Sequence, residues 1–298
     1  MLKSFGDKQH HNKNLFPFLL IVPSLALLLA VNIFPLIYSL FLSFESWSLV
    51  KPGDRSFVGL RNYVEVLTNP AFAEALNKTL IFTAVAIISE FLIGFALAVA
   101  LSHNLKGVGA IRSVILMPLV MTPVVTGLVW RFMYNPEYGM INYFLNLLGI
   151  STTHAWLGDT STALPAVILV DVWENTPFVF LILLAGLQAL PREPFEAAQI
   201  DGASRWTTLT CVTLPLLKPA ILVALLIRTV DALKVFDIIY VMTMGGPAAA
   251  TETLSILTYR FGFLRFDMGY TAALSYIIVL IIVLASQPFV RSFFVSET

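Results

Sequence analysis

Glu196-Ala197-Ala198-Gln199-Ile200-Asp201-Gly202-Ala203, with Leu214-Pro215 beyond it, is a small, polar, helix-prone segment set between two long apolar runs. Alanine favours helix and leaves little bulk on the helix surface, so another protein can come close. Pro194 stands where an early helical turn tolerates proline, and Gly202 supplies a break after about two turns. Ser204 is a good N-cap for a second short helix, which Pro215 and Pro219 are expected to disrupt. The pattern reads as a helix-turn-helix presented at a membrane surface and shaped to dock in a partner's groove. A plain amphipathic connection whose alanines merely favour helix is the competing reading.

The membrane enters through composition. The 298 residues are 58% hydrophobic and only 12% charged, with a mean hydropathy of +0.84. A soluble globular chain carries about 25% charge, so a bilayer is the natural solvent. A net charge of zero argues against a nucleic-acid partner. Cys211 is the sole cysteine, so neither an internal disulfide nor a thiolate metal cluster can form. The four histidines, His10, His11, His103 and His154, form no HExxH pair, and no metal site is expected.

Residues 15–44 contain no charge, far beyond the ~7–15 residues of a signal-peptide core, and read as an uncleaved first span. Five further segments reach the ~20 apolar residues a spanning helix needs: roughly 76–102, 113–134, 163–190, 219–243 and 269–291. Pro23, Pro35, Pro118, Pro123 and Pro177 lie within these spans and are expected to kink them. The predicted fold class is therefore an all-α membrane protein of six transmembrane helices. It divides into a polar tail (1–14), one transmembrane domain (15–293, with the docking loop at 191–218) and a short tail (294–298). Six spans place both termini on one side with that loop. This side holds nine basic residues against seven on the other, so the positive-inside rule makes it cytoplasmic by a thin margin. Segments 60–75 and 139–148 look like short amphipathic helices at the outer interface, with Trp156 as an anchor.

None of the eight lysines follows a glycine, so no Walker A loop exists to cradle ATP phosphates, and no G-x-S-x-G elbow appears. If transport is active, a partner supplies the energy. The fifth span carries Arg228, Asp231, Lys234 and Asp237 at a strict spacing of three, which makes neighbours on one helix. Each ionisable group at mid-bilayer costs about 2.5–3.5 kcal/mol, so this stripe should face the bundle interior or a wet cavity. Asp231 and Lys234 are expected to pair, and Arg228 lies close enough to the cytoplasmic end to snorkel. Helix-packing ion pairs explain the same charges without any transport role. Glu90, Asp171 and Glu174 raise the same question. Trp173, Glu174 and Asn175 form an aromatic-polar cluster suited to a carbohydrate path, although a tryptophan with a satisfied indole serves packing equally well.

The segment from Glu196 resembles the EAA loop of ABC importer permeases, through which an ATPase subunit grips the membrane subunit. That pattern runs Glu-Ala-Ala, three residues, Gly, nine residues, an aliphatic residue, one residue, Leu-Pro. Glu196, Ala197, Ala198, Gly202, Val212, Leu214 and Pro215 fall in register, with Val212 where isoleucine is commoner. Leu184-Ala185-Gly186-Leu187-Gln188, Phe236-Asp237-Ile238-Ile239-Tyr240-Val241-Met242-Thr243, Gly245-Gly246-Pro247, Gly139-Met140-Ile141-Asn142 and Trp156-Leu157 resemble the carbohydrate-uptake branch of those permeases. The resemblance covers about residues 15–293. It implies a type I ABC importer permease fold and ATPase coupling through Glu196, Ala197, Ala198, Asp201, Gly202, Ala203, Leu214 and Pro215. It also implies a second, similar permease (a heterodimer), two cytoplasmic ATPase subunits that hold ATP-Mg, and an extracytoplasmic solute-binding protein. The chain would bind no cofactor, catalyse nothing itself, and sit in a bacterial cytoplasmic membrane with both termini cytoplasmic. A secondary transporter or channel using the charged fifth helix as an ion relay is the alternative, but it has no need of a docking loop.

Overall fold

Helices account for nearly every apolar stretch of the chain. The computed structural model describes residues 15–102, 107–150 and 153–295; the expected N-terminal tail, His103 and Lys106 lie outside these, as does the chain from 296. In order the elements are α1 (Leu15–Leu28), α2 (Phe34–Ser43), β1 (Glu45–Ser48), β2 (Lys51–Phe57), α3 (Arg61–Thr68) and α4 (Pro70–Leu101). Next come α5 (Val108–Val120), α6 (Pro123–Met133), α7 (Met140–Leu147), α8 (Ala163–Gln188), α9 (Glu193–Ile200) and α10 (Arg205–Thr208). The chain ends in α11 (Leu214–Leu233), α12 (Asp237–Met242), α13 (Leu254–Tyr259) and α14 (Met268–Val295). Among the described residues, five stretches are long and apolar enough to cross a bilayer: Leu20–Ser43, Pro70–Leu101, Ala163–Gln188, Arg205–Leu233 and Met268–Phe293. A sixth is broken, because α5 and α6 meet at 98°.

Local chemistry explains the boundaries. Asn69 caps α4, accepting a hydrogen bond from Ala71 N–H at 3.0 Å, and Pro70 fits the first turn. The second span therefore starts six residues before the expected 76. Met121 and Thr122 are extended rather than helical, and Pro123 restarts the chain as α6. The kink expected at Pro123 is thus a full bend, since the residue before proline avoids the helical region, while Pro118 stays inside α5. Pro177 stays inside α8. Pro215 and Pro219 also lie inside a helix, contrary to the expectation that they end it. A π-helical turn at Leu209–Thr213 joins α10 to α11, with Leu214 N–H donating to Leu209 C=O. The wider turn accommodates the proline ring just after it.

The chain divides into two compact units, one up to Leu67 together with Phe261–Ile277, the other Thr68–Arg260 together with the chain from Ile278 onward. In the first unit, β1 and β2 form an antiparallel hairpin with Glu45 opposite Phe57 and Ser46 opposite Ser56. Asn62 pins its base, donating to the carbonyls of Ser43 and Glu45 at 2.9 Å each. This hairpin was not expected: Pro52-Gly53 reads as a turn, and all seven residues of β2 are exposed, so no alternation marks a strand.

The second unit is built on α4, α8 and α11. One apolar cluster joins Phe82, Val167, Val170, Ile238 and Ile239, and another joins Phe180, Leu183, Leu217 and Ala224. Trp156 packs against the first cluster, and its indole N–H donates to Asn142 Oδ1 at 2.7 Å. Its indole is thus satisfied by Asn142, a buried acceptor on α7. In the loop before α8, the N–H and hydroxyl of Ser161 both donate to Asp159 Oδ1 and hold its carboxyl below the usual range.

Candidate functional site: a docking element and a charged triad

α9 begins with Pro194 in its first turn and Glu193 and Glu196 near its positive end. It stops in a Schellman closure: Ala203 N–H donates to Ala198 C=O at 2.9 Å and Gly202 N–H to Gln199 C=O at 3.1 Å. Gly202 has φ +71°, a left-handed conformation that costs glycine nothing and strains a β-branched residue. Ser204 then caps the next helix, its Oγ accepting from Thr207 N–H at 3.1 Å. Glu196, Ala197, Asp201 and Gly202 are exposed, Ala198, Ala203 and Leu214 are half-buried, and Pro215 is exposed at the start of α11. A cavity of about 640 Å³ beside α9 is lined by Ser102, Gln188, Arg192, Phe195, Glu196 and Gln199. Two apolar side chains that the motif does not include stand out on this element: Ile200 is 86% and Trp206 73% exposed. Their signal was present in the sequence as large apolar residues within an otherwise small, polar loop.

The membrane-embedded charges do not form one stripe. α11 ends at Leu233, Lys234 takes the C-cap, and Asp237 opens α12 after a break at Lys234–Phe236. The expected fifth span, 219–243, is therefore two helices. Arg228 does not snorkel. It is 4% exposed, and it joins three helices: its Nε donates to Glu90 Oε2 at 2.6 Å and its Nη2 to Glu90 Oε1 at 2.8 Å. The same Nη2 donates to Asp171 Oδ2 at 3.0 Å, while Asn175 Nδ2 donates to Asp171 Oδ1 at 3.1 Å. A bidentate fork and a second carboxylate satisfy a charge that could not stay buried alone. Snorkelling was expected from position along the sequence, which does not reveal acids 138 and 57 residues away.

Asp231 and Lys234 do pair, at 3.0 Å, but with side chains 44% and 59% exposed in this chain rather than buried. Asp237 is exposed. Trp173 is 38% exposed and meets Trp130 edge-on, with centroids 5.5 Å apart. Glu174 turns inward: its Oε1 accepts from Thr126 Oγ1 at 3.2 Å, and its buried Oε2 has no hydrogen-bond partner. Trp173 and Glu174 thus both meet α6, one turn apart at Trp130 and Thr126, while Asn175 turns to Asp171. Phe236, Tyr240 and Tyr259 form a half-buried aromatic group beside the helix break, with ring centroids 5.0–5.5 Å apart.

The family described as binding-protein-dependent transport system inner membrane component matches residues 140–291. The trehalose/maltose transport system permease protein MalF of Thermococcus litoralis is 41% identical over 90% of this chain and 90% of its own. The trehalose transport system permease protein SugA of Mycobacterium tuberculosis is 40% identical over 93% of this chain and 88% of its own. Among solved structures, a bacterial alginate ABC transporter in complex with an alginate pentasaccharide-bound periplasmic protein superposes with a TM-score of 0.80. It is 21% identical and covers 95% of this chain and 96% of its own, a likeness of fold. The helix order, the bent third span and these matches agree on the type I importer permease fold. Matched by the family over just over half its length, and by permeases at 40–41% identity over nine-tenths of it, the chain belongs to the binding-protein-dependent inner membrane components of ABC transporters.

Proposed function

We propose that this chain is the permease subunit of an ATP-driven, binding-protein-dependent importer of a sugar or sugar derivative. The docking element carries the proposal: α9, closed at Gly202 and followed by the Ser204 cap, presents Glu196, Ala197 and Asp201 on an exposed surface. A small-residue helix of this kind suits close seating in a groove of an ATPase subunit. The relatives named for trehalose and maltose transport support the substrate class. In this reading a second, similar permease completes the path, two ATPase subunits hold ATP-Mg, and an extracytoplasmic binding protein delivers the solute. Hydrolysis belongs to the partners. The chain spans the bacterial cytoplasmic membrane several times, with the docking loop and both termini in the cytoplasm. Trp173, Glu174, Asn175, Asp231, Lys234 and Asp237 are proposed for the wall of the path, and the chain from 15 to 293 acts as one permease domain.

Two substitutions test the docking assignment in the reconstituted complex. Glu196→Lys reverses the charge of the contact helix, and Gly202→Val places a β-branched residue at φ +71°. Each should leave the chain in the membrane yet abolish binding-protein-stimulated ATP hydrolysis and solute uptake. Wild-type hydrolysis and uptake in both variants would remove the docking assignment. Uptake that proceeds without ATP would favour the channel or secondary transporter.

A further inference from the structure

The helix that begins at the docking element is unbroken from Arg205 to Leu233, 29 residues through one π turn, or about 43 Å of rod. Arg228 sits near its far end, one to two turns before the break at Lys234–Phe236. There its guanidinium binds Glu90 of α4 by two parallel hydrogen bonds and Asp171 of α8 by a third. All three residues are at most 4% exposed. Among the described residues, it is the buried ion cluster that ties together the three helices on which the larger unit is built.

Stability alone is a poor reason for such a cluster. Well-packed apolar side chains of similar volume often hold a core as well as a buried ion triad does, or better. What an apolar contact does not provide is a fixed orientation. A planar guanidinium forked onto a carboxylate has few acceptable geometries, so it fixes both the height and the rotation of one helix against another. At the opposite end of the same rod, α9 and α10 are joined by the short Gly202–Ala203 turn, with Gly202 exposed and in the left-handed region.

We propose that Arg228 is a positioning residue, the pin that holds the far end of the Arg205–Leu233 helix to α4 and α8 while its docking end swings with the ATPase. A displacement of α9 would then become a rotation about the triad, and the rotation would reach Asp231, Lys234 and the break beside the path. Without the pin the rod would slide, and ATP hydrolysis would proceed without reference to the loaded binding protein. This inference rests on the importer reading, and its test keeps the two apart.

The complex of the permease pair and the ATPase subunits, reconstituted in proteoliposomes, is assayed for ATP hydrolysis with and without the loaded binding protein. Two variants are compared with wild type. The neutral triad, Glu90→Gln with Asp171→Asn and Arg228→Met, keeps the volume and removes every charge. Arg228→Lys keeps the charge and removes the fork. Coupling between distant sites is typically about 5- to 150-fold. The ratio of stimulated to basal hydrolysis should therefore fall at least about fivefold in the neutral triad, chiefly through a higher basal rate, while co-purification of the ATPase stays at the wild-type level. Arg228→Lys should fall in the same direction, and it decides alone if the neutral triad fails to assemble. A wild-type ratio in either assembled variant overturns the pin and leaves the triad as packing. A wild-type complex whose hydrolysis ignores the binding protein overturns the importer reading itself.

Discussion

Gly186 faces α11 where a β-carbon would stand 2.7 Å from Ala220 Cβ and 2.8 Å from Leu217 Cδ1. Carbon atoms in contact rest at about 3.5–4.0 Å, so Gly186→Ala must part α8 from α11 by nearly an ångström or displace buried Leu217. Overpacking of this kind costs ~1–3 kcal/mol. Replacing a helical glycine by alanine returns ~1 kcal/mol of propensity, so the net loss is ~0–2 kcal/mol. Ala220→Gly alone gives up ~1 kcal/mol of the same propensity. In the double variant the propensity changes cancel and the alanine collision disappears, leaving only the tip of Leu217 to give way. The double-mutant cycle should therefore show a favourable coupling of ~1–2 kcal/mol. Equilibrium unfolding by SDS in mixed micelles, followed by far-UV circular dichroism on all four proteins, measures it. Additivity within about 0.5 kcal/mol would refute the close approach of the two helices at Gly186.

The remaining predictions concern charge and orientation. Arg228→Ala leaves Glu90 and Asp171 buried without their counter-charge and should cost ~3–5 kcal/mol in the same unfolding assay. Asp231→Ala breaks a half-exposed pair and should cost no more than ~1 kcal/mol; equal losses would show that the pair is covered in the folded state measured. For topology, a membrane-impermeant thiol reagent applied to spheroplasts should spare exposed Cys211 and label Asp54→Cys, on the exposed hairpin, in a Cys211→Ser background. Labelling of Cys211 and not of residue 54 would invert the orientation. Thr251 is fully buried and His154 bonds Thr162, so neither is a suitable outer reporter.

What could be read from the chain followed the range of the interaction. α9, its closure at Gly202 and the Ser204 cap are set by residues within five positions of one another, and local chemistry decides such features. Span existence was legible for the same reason, since hydropathy is a window property. The break at Lys234–Phe236 was not legible, because neither glycine nor proline marks it and Val235 and Phe236 favour regular structure. The triad was invisible in a different way: Glu90 stands alone in an apolar run, Asp171 and Arg228 have nearer charges in sequence, and only tertiary packing makes the three partners. The Trp156–Asn142 hydrogen bond also needs the fold, although both residues carried the family resemblance. The exposed hairpin left no periodic trace.

The π turn at Leu209–Thr213 divides the long helix at a telling place. The 20 residues of α11 beyond it measure about 30 Å, the thickness of a hydrocarbon core, while Arg205, Trp206, Thr207, Thr208, Thr210 and Cys211 before or within it suit water and headgroups. The extra residue in a π turn changes azimuth as well as length. Each residue of an α-helix turns the chain by about 100°, so one residue added or removed there would re-aim everything before it around the rod's axis. The compass bearing of the docking element is thus set independently of the face that α11 turns to α4 and α8. A core of fixed packing on α4 and α8 can in this way present α9 and α10 at different bearings, through a change of one residue at the π turn.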